Sequence, residues 1–231
     1  MKINPEVLSK LITRITYYIE DAEVIGLGTG RTMTYVVNYL SKYELLKGKT
    51  LVPSSIDTAL KLRKLGFKVT SPLSTESLDV YIDSADEVDP KWNMIKGGGA
   101  ALTMEKILTY YSRKRVFVVT EDKLVHKLCS KHYIPLDVVP ESLTMVTNYL
   151  SSRGFDVRIR EGSGKRGPVR SDFGGLIIDV KPPSNLLSNL EALDKLLTYL
   201  PGVISSGLFV GLVDVGYILL SEELREYVMR D

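Results

Sequence analysis

Two patterns in the sequence predict an α/β protein carrying a second, smaller domain. Over about the first 130 residues, the apolar runs EVI, TLVP, LDVYID and RVFVVT alternate with helix-like stretches, the order that builds a parallel sheet covered on both faces. From residue 131 to residue 207 the order becomes strand, helix, strand, strand, helix, strand, which is the split arrangement of ferredoxin-like domains. The expected architecture is a Rossmann-like catalytic domain made of residues 1–130 and 208–231, with a small ferredoxin-like α+β domain at residues 131–207.

Each element follows from its local pattern. Val7, Leu8, Leu11, Ile12, Ile15 and Ile19 recur at helical spacing and predict an amphipathic first helix. A strand then leads into GLGTGRT, and a second helix is expected over residues 32–45. TLVP is a short strand, residues 55–65 a helix closed by Gly66, and residues 67–70 a further strand before LDVYID. After Gly97-Gly98-Gly99 a helix is expected over residues 100–112, then the apolar strand at residues 115–120. In the small domain the strands are PLDVVP, FDVRIRE, LIIDV and VISSGLF, with helices ESLTMVTNYLSSRG and NLLSNLEALDKLLTYL and a basic, glycine-rich loop between the second and third strands. VGYILL is expected to return to the first domain as a strand and EELREYVM to follow it as a helix.

Composition narrows the function classes. The 231 residues are 44% hydrophobic and 25% charged, the balance of a folded chain rather than a disordered one. A net charge of +2 from 30 basic and 28 acidic residues does not call for nucleic acid as a partner. The single cysteine, Cys129, excludes an internal disulfide and fits a reducing cytosol; it reads as a small buried apolar residue. With only His126 and His132 beside it, a zinc site of the usual type is short of ligands. The N-terminus MKINPEVLSK has no apolar stretch of the signal-peptide kind, and residues 202–220 are interrupted by Ser205, Ser206, Asp214 and glycines, so they read as buried strands, not a membrane helix.

Three motifs bear chemistry. GLGTGRT joins a strand to a helix, the setting of a phosphate site. A dinucleotide fingerprint needs a third glycine, but the sixth position is Arg31 or Met33 depending on where the count starts. The second strand ends in Pro53 and Ser54 where an acidic residue for the ribose would stand, and no lysine follows as in a triphosphate-binding loop. What remains is backbone N–H groups, Thr29, Gly30, Arg31 and Thr32 at a helix start, suited to a compact phosphate or carboxylate, or a tight turn without a ligand. DSADEVD sets Asp83, Ser84, Ala85, Asp86, Glu87 and Asp89 at the carboxyl end of a parallel strand, where ligands bind in open α/β sheets; a solvated acidic loop is the alternative. Its spacing is not that of a calcium-binding EF-hand. In MIKGGGAALTMEK, Lys96 precedes Gly97, Gly98 and Gly99, and Glu105 follows within the next helix. A carboxylate base, a cation and backbone donors are the parts needed to abstract a proton beside a carbonyl, although Glu105 on a surface helix fits the pattern equally.

GLGTGRT, DSADEVD, KGGGAALTMEK, VVTEDKLV, GPVRSDFGGLIIDV and PGVISSGLF, in this order, resemble the ribose-5-phosphate isomerase family of the A type over nearly the whole chain. The resemblance implies an aldose-ketose isomerase of the non-oxidative pentose phosphate pathway, cytoplasmic, without metal or organic cofactor, acting on a small sugar phosphate and assembling as a homodimer or homotetramer. It implies Glu105 as the base between C1 and C2, Asp83 and Asp86 as sugar-binding and ring-opening groups, and Lys96 with Gly97 to Gly99 near the reacting oxygens. Thr29, Gly30, Arg31 and Thr32, with Ser84, Ala85 and Lys123, complete the implied substrate contacts. The chain departs from the family pattern at Arg31 and Ser84, which stand where Ser and Gly are usual, and at Ser171 to Gly175, which lack both asparagines of the family's motif there. Arg31 is expected to supply positive charge at the phosphate. The alternatives are an amino-sugar phosphate deaminase, a CoA transferase, or a non-catalytic sugar-phosphate sensor on the same scaffold.

Overall fold

The computed structural model describes residues 4–164 and 166–229. The first three residues of the N-terminal segment, Lys165 of the basic loop and the last two residues lie outside the described residues. Along the chain run α1 (Pro5–Ile19), β1 (Val24–Leu27), α2 (Arg31–Lys42), β2 (Thr50–Pro53), α3 (Ile56–Lys64), β3 (Leu78–Asp83), β4 (Glu87–Val88), β5 (Met94–Ile95), α4 (Leu102–Tyr110) and β6 (Ser112–Thr120). Then come β7 (Ile134–Val138), α5 (Leu143–Ser151), β8 (Asp156–Ile159), β9 (Leu176–Lys181), α6 (Leu190–Thr198), β10 (Val203–Ser206), β11 (Leu208–Phe209), β12 (Val215–Leu219) and β13 (Leu224–Val228). The chain divides into two compact units, one of residues 1–85, 107–124 and 212–231, the other of residues 86–106 and 125–211.

The first unit holds a six-stranded sheet in the order β13-β12-β6-β3-β1-β2, parallel except for β13. Order reverses between β1 and β3, so the loops after these strands leave in opposite directions and open a crevice at their carboxyl ends. α1 is started by Asn4, whose side chain accepts from the Glu6 N–H at 2.9 Å, and its six helically spaced apolar residues are all buried. They join Ile25, Leu27, Val80, Ile82, Val116, Val118 and Tyr217 in one core. That burial, rather than helix propensity, holds the helix in place.

The second unit holds a four-stranded antiparallel sheet in the order β10-β7-β9-β8, which is the ferredoxin-like order for a β-α-β-β-α-β chain. Ile134, Leu136, Val138, Ile178 and Val180 pack there against Val146 and Leu150 of α5 and Leu193 and Leu197 of α6. A separate three-stranded sheet, β11-β5-β4, carries the chain through the acidic motif and into the glycine turn.

Three local expectations are corrected. EELREYVM is not a helix: residues 224–228 form β13, an antiparallel edge strand on β12, with Leu224 and Tyr227 opposite Leu219 and Gly216. Helix propensity in Glu-rich segments gives way here to the ladder bonds that the β12 edge offers. The strand expected at residues 67–70 is a single bridge, Val69 to Leu51, and VISSGLF is two strands, β10 and β11, that pair in different sheets.

Candidate functional site

In the first unit, GLGTGRT lies at the switch between β1 and β3. The Gly28 N–H donates to the Ile82 carbonyl at 2.9 Å, and the Ser54 N–H to the Leu27 carbonyl at 2.9 Å, so the turn is tied to the ends of both neighbouring strands. A Cβ at Gly28 would fall 1.8 Å from Asp83 Oδ1, so only glycine lets the strand end approach this carboxylate. Asp83 itself is fully buried: Oδ2 accepts from the Tyr81 hydroxyl at 2.6 Å and Oδ1 from the Ser84 N–H at 2.7 Å.

The hydroxyls of this turn are organised in a way the motif did not disclose. Thr29 Oγ1 lies 2.8 Å from Ser54 Oγ, 2.7 Å from Ser55 Oγ and 3.1 Å from Thr58 Oγ1, and Thr58 Oγ1 donates to the Gly28 carbonyl at 2.9 Å. Ser55 also caps α3 by accepting from the Thr58 N–H. A network of four hydroxyls therefore locks the turn onto the β2–α3 junction. The signal for it was present in V-P-S-S-I-D-T, a capping pattern after a strand, but sequence gives no reason to pair it with Thr29, 25 residues away. Gly30 and Arg31 are exposed, Thr32 is buried in the first turn of α2, and Lys61 of α3 reaches Thr34 Oγ1 at 3.0 Å and Asp57 at 2.7 Å. Gly28, Gly30, Thr34, Thr58 and Lys61 line a depression beside the turn. Lys123 ends a 3-10 turn after β6, with its ammonium 3.7 Å from Asp122.

In the second unit, the acidic motif separates into different duties. Glu87 is fully buried and its Oε1 accepts from the backbone N–H groups of Lys131 and His132, the latter at 2.6 Å. Asp89 closes the β4–β5 hairpin, accepting from the Lys91 and Asn93 N–H groups at 2.8 and 2.9 Å, around a left-handed Trp92 with φ of 59°. Both are structural. Asp86 instead faces the glycine turn, its Oδ2 accepting from the Gly98 N–H at 2.8 Å.

Lys96 and Glu105 come together as a buried pair, Nζ to Oε2 3.4 Å, with side chains 3% and 6% exposed. β5 delivers Lys96, whose N–H donates to the Gly207 carbonyl at 2.9 Å; Gly97, at φ of +100°, then turns the chain into α4, which carries Glu105 in its first turn. Phe209 of β11 places its ring under two ammonium groups, 5.7 Å from Lys96 and 5.1 Å from Lys106. Burial pushes Lys106 below the usual lysine range, partly offset by Asp194 at 3.1 Å. Thr103, also in the first turn of α4, donates to Asp137 Oδ2 at 2.7 Å, and burial pushes the Asp137 carboxyl up against the pull of the Thr103 and Ser171 hydroxyls. Cys129 is buried as expected, its thiol pushed up to about 12 by burial and by Glu87.

The predicted residues thus fall in two groups: Thr29, Gly30, Arg31, Thr32, Asp83, Ser84, Ala85 and Lys123 in the first unit, and Asp86, Lys96, Gly97, Gly98, Gly99 and Glu105 in the second. Ser54, Ser55, Thr58, Phe209 and Asp137 were not singled out by sequence. The second group is a buried carboxylate compensated by an ammonium beside a turn of backbone amides, an arrangement able to move a proton on a substrate and to bind the oxygen that gains charge. Among the described residues, no three His, Cys, Asp or Glu side chains assemble as a metal cluster, and no helix is long and apolar enough to cross a membrane.

Residues 50–223 match the family model described as ribose 5-phosphate isomerase A (phosphoriboisomerase A). The proteins named ribose-5-phosphate isomerase A from Aeropyrum pernix and Pyrococcus furiosus are 41% and 37% identical, over 86% and 96% of this chain and 83% and 98% of theirs. Among solved structures, the ribose 5-phosphate isomerase A of Methanocaldococcus jannaschii superposes with a TM-score of 0.88 at 31% identity, covering 98% of this chain and all of that one. A D-ribose-5-phosphate isomerase solved in complex with phospho-erythronic acid gives a TM-score of 0.90 at 34% identity, covering 99% of this chain and 100% of that one.

Proposed function

Since the chain belongs to the ribose 5-phosphate isomerase A family, we propose that it interconverts D-ribose 5-phosphate and D-ribulose 5-phosphate, the aldose-ketose step of the non-oxidative pentose phosphate pathway. Glu105 is the base. It removes the proton from C2 of the open-chain aldose, whose electron pair forms the C1–C2 double bond as the carbonyl pair moves onto O1; the O2 hydroxyl proton passes to O1, and Glu105 returns its proton to C1 as O2 becomes the carbonyl. The observation that carries this reading is the buried Lys96–Glu105 pair, because an ammonium 3.4 Å away compensates the carboxylate in a site closed to water.

Lys96 and the turn of Gly97 to Gly99, its Gly98 N–H on Asp86, hold the enediolate oxygens. Asp83 and Asp86 bind sugar hydroxyls and assist ring opening, Asp86 from its place on the Gly98 N–H. Thr29 to Thr32, with Arg31 supplying charge, and Ser84, Ala85 and Lys123 bind the remainder of the substrate, the phosphate at the start of α2. The reading includes a homodimer or homotetramer in the cytoplasm, working without a metal or organic cofactor. The alternative sugar-phosphate enzymes and the non-catalytic sensor are not favoured, since Glu105 and its partner are both retained.

A direct assay of ribose 5-phosphate isomerisation tests the activity, and Glu105→Gln tests the assignment. The variant is expected to lose at least about 100-fold in kcat while still binding the sugar phosphate. Full turnover by Glu105→Gln would remove Glu105 from the role of base.

A further inference from the structure

Behind the glycine turn of the second unit stands a side chain that neither the motif nor the proposed chemistry includes. Arg160, just past β8, forks onto Asp179 of β9, Nε donating to Oδ2 at 2.8 Å and Nη2 to Oδ1. Its remaining nitrogen, Nη1, donates to the Gly97 carbonyl at 2.8 Å and to the Gly98 carbonyl at 3.2 Å. The arginine backbone is itself fixed, its N–H on the Ile177 carbonyl at 3.0 Å and its carbonyl accepting from Val169 at 2.8 Å. The two side chains are 18% and 22% exposed, so the guanidinium is largely committed to these partners.

A peptide group is planar and trans, so a carbonyl aimed one way sends the next N–H the other way. With the Gly97 oxygen on Arg160, the Gly98 N–H must point away from it, and there it meets Asp86 Oδ2 at 2.8 Å. The next peptide obeys the same geometry: with the Gly98 oxygen on Arg160, the Gly99 N–H points away from the guanidinium. Three successive glycines have no side chain to resist rotation of these peptides; the Ala100 N–H on the Gly97 carbonyl at 3.0 Å closes the turn from within, and Arg160 adds the hold on the Gly98 carbonyl.

We propose that Arg160, anchored by Asp179, is a positioning residue for the isomerisation: it sets the Gly98–Gly99 peptide so that the Gly99 N–H is presented to the oxygen that gains charge, while the Gly98 N–H holds the Asp86 carboxylate for a sugar hydroxyl. This rests on the reading of Asp86 and Gly97 to Gly99 as substrate-facing. Lysine cannot replace arginine here, because one ammonium on a flexible stem cannot fork onto Asp179 and hold two carbonyls together.

The test compares Arg160→Lys and Arg160→Met with the unaltered protein for kcat and KM on ribose 5-phosphate, for competition by phospho-erythronic acid and by inorganic phosphate, and for thermal midpoint. Both variants are expected to lose roughly 10- to 100-fold in kcat, as for a donor set misplaced by about an ångström. KM is expected to stay within about threefold, since ground-state binding is not what the turn supplies. Competition by phospho-erythronic acid should weaken by a factor similar to the kcat loss, with phosphate unaffected. If Arg160→Met does not fold, Arg160→Lys, which keeps the charge opposite Asp179, decides by the same measurements. Unchanged kcat, a loss carried by KM alone, or a lowered thermal midpoint with kcat intact would reduce the pair to a brace between β8 and β9 and overturn the proposal. Glu105→Gln is assayed in parallel: its full activity would overturn the site reading itself, whereas an inactive Glu105→Gln beside a fully active Arg160→Lys overturns only the role given to Arg160.

Discussion

Gly28 and Asp83 show how one residue constrains another across 55 positions of sequence. The carboxylate is held by Tyr81 and the Ser84 N–H and cannot swing aside, so a methyl group 1.8 Å from its oxygen must displace the turn. Gly28→Ala is therefore expected to cost about 1–3 kcal/mol in stability, as overpacking does, and to lower kcat/KM because the turn and Asp83 move together. Chemical denaturation with steady-state kinetics checks it; a fully active, fully stable variant would show that the contact is soft. At the same scale, Glu87 and Asp86 are neighbours in one acidic motif with unrelated tasks, one satisfying the 131–132 backbone and the other facing the glycine turn. Charge alone could not separate them. Their hydrogen-bond partners lie in segments that only the fold brings near.

Among the elements, the β6–β12 ladder is reinforced by an ion pair between Arg115 of β6 and Asp214, the residue before β12. Arg115 gives Asp214 its backbone N–H at 2.7 Å, Nε at 3.0 Å and Nη2 at 2.5 Å. Burial by itself would push Asp214 up, but these hydrogen bonds and the guanidinium charge hold its carboxyl below the ordinary value. A depressed carboxyl contributes stability that is present above its unfolded value, about 3.9, and lost as pH falls through the folded one. Asp214→Asn is thus expected to destabilise the protein by about 1–3 kcal/mol at pH 7, with the difference from the unaltered chain fading below about pH 4. Urea titrations at both pH values measure it; a pH-independent difference would mean the carboxylate charge is not what matters. β13, read from its sequence as a helix, belongs to the same scale. Its residues gain ladder bonds to β12 that no local propensity announces.

For the molecule as a whole, a homodimer or homotetramer is expected, and sedimentation should show a multiple of the 25.8 kDa chain at micromolar concentration; a 25.8 kDa species throughout dilution would overturn that. The sequence by itself determined the alternation of strands and helices, the ferredoxin-like order of the second unit, and the three motifs with Glu105, Lys96, Asp86 and the glycine turns, because periodicity and motif spacing are local properties of the chain. Tertiary structure decided which members of those motifs do which work. The hydroxyl lock on Thr29, the seating of the Lys96–Glu105 pair over Phe209 and the Arg160 hold on the Gly97 and Gly98 carbonyls join segments distant in sequence, and the edge strand at residues 224–228 depends on a β12 that the sheet has already placed. Such contacts exist only once strand order and packing have fixed which surfaces meet, since a hydrogen bond or a buried charge is set by its partner in space and not by its neighbour along the chain.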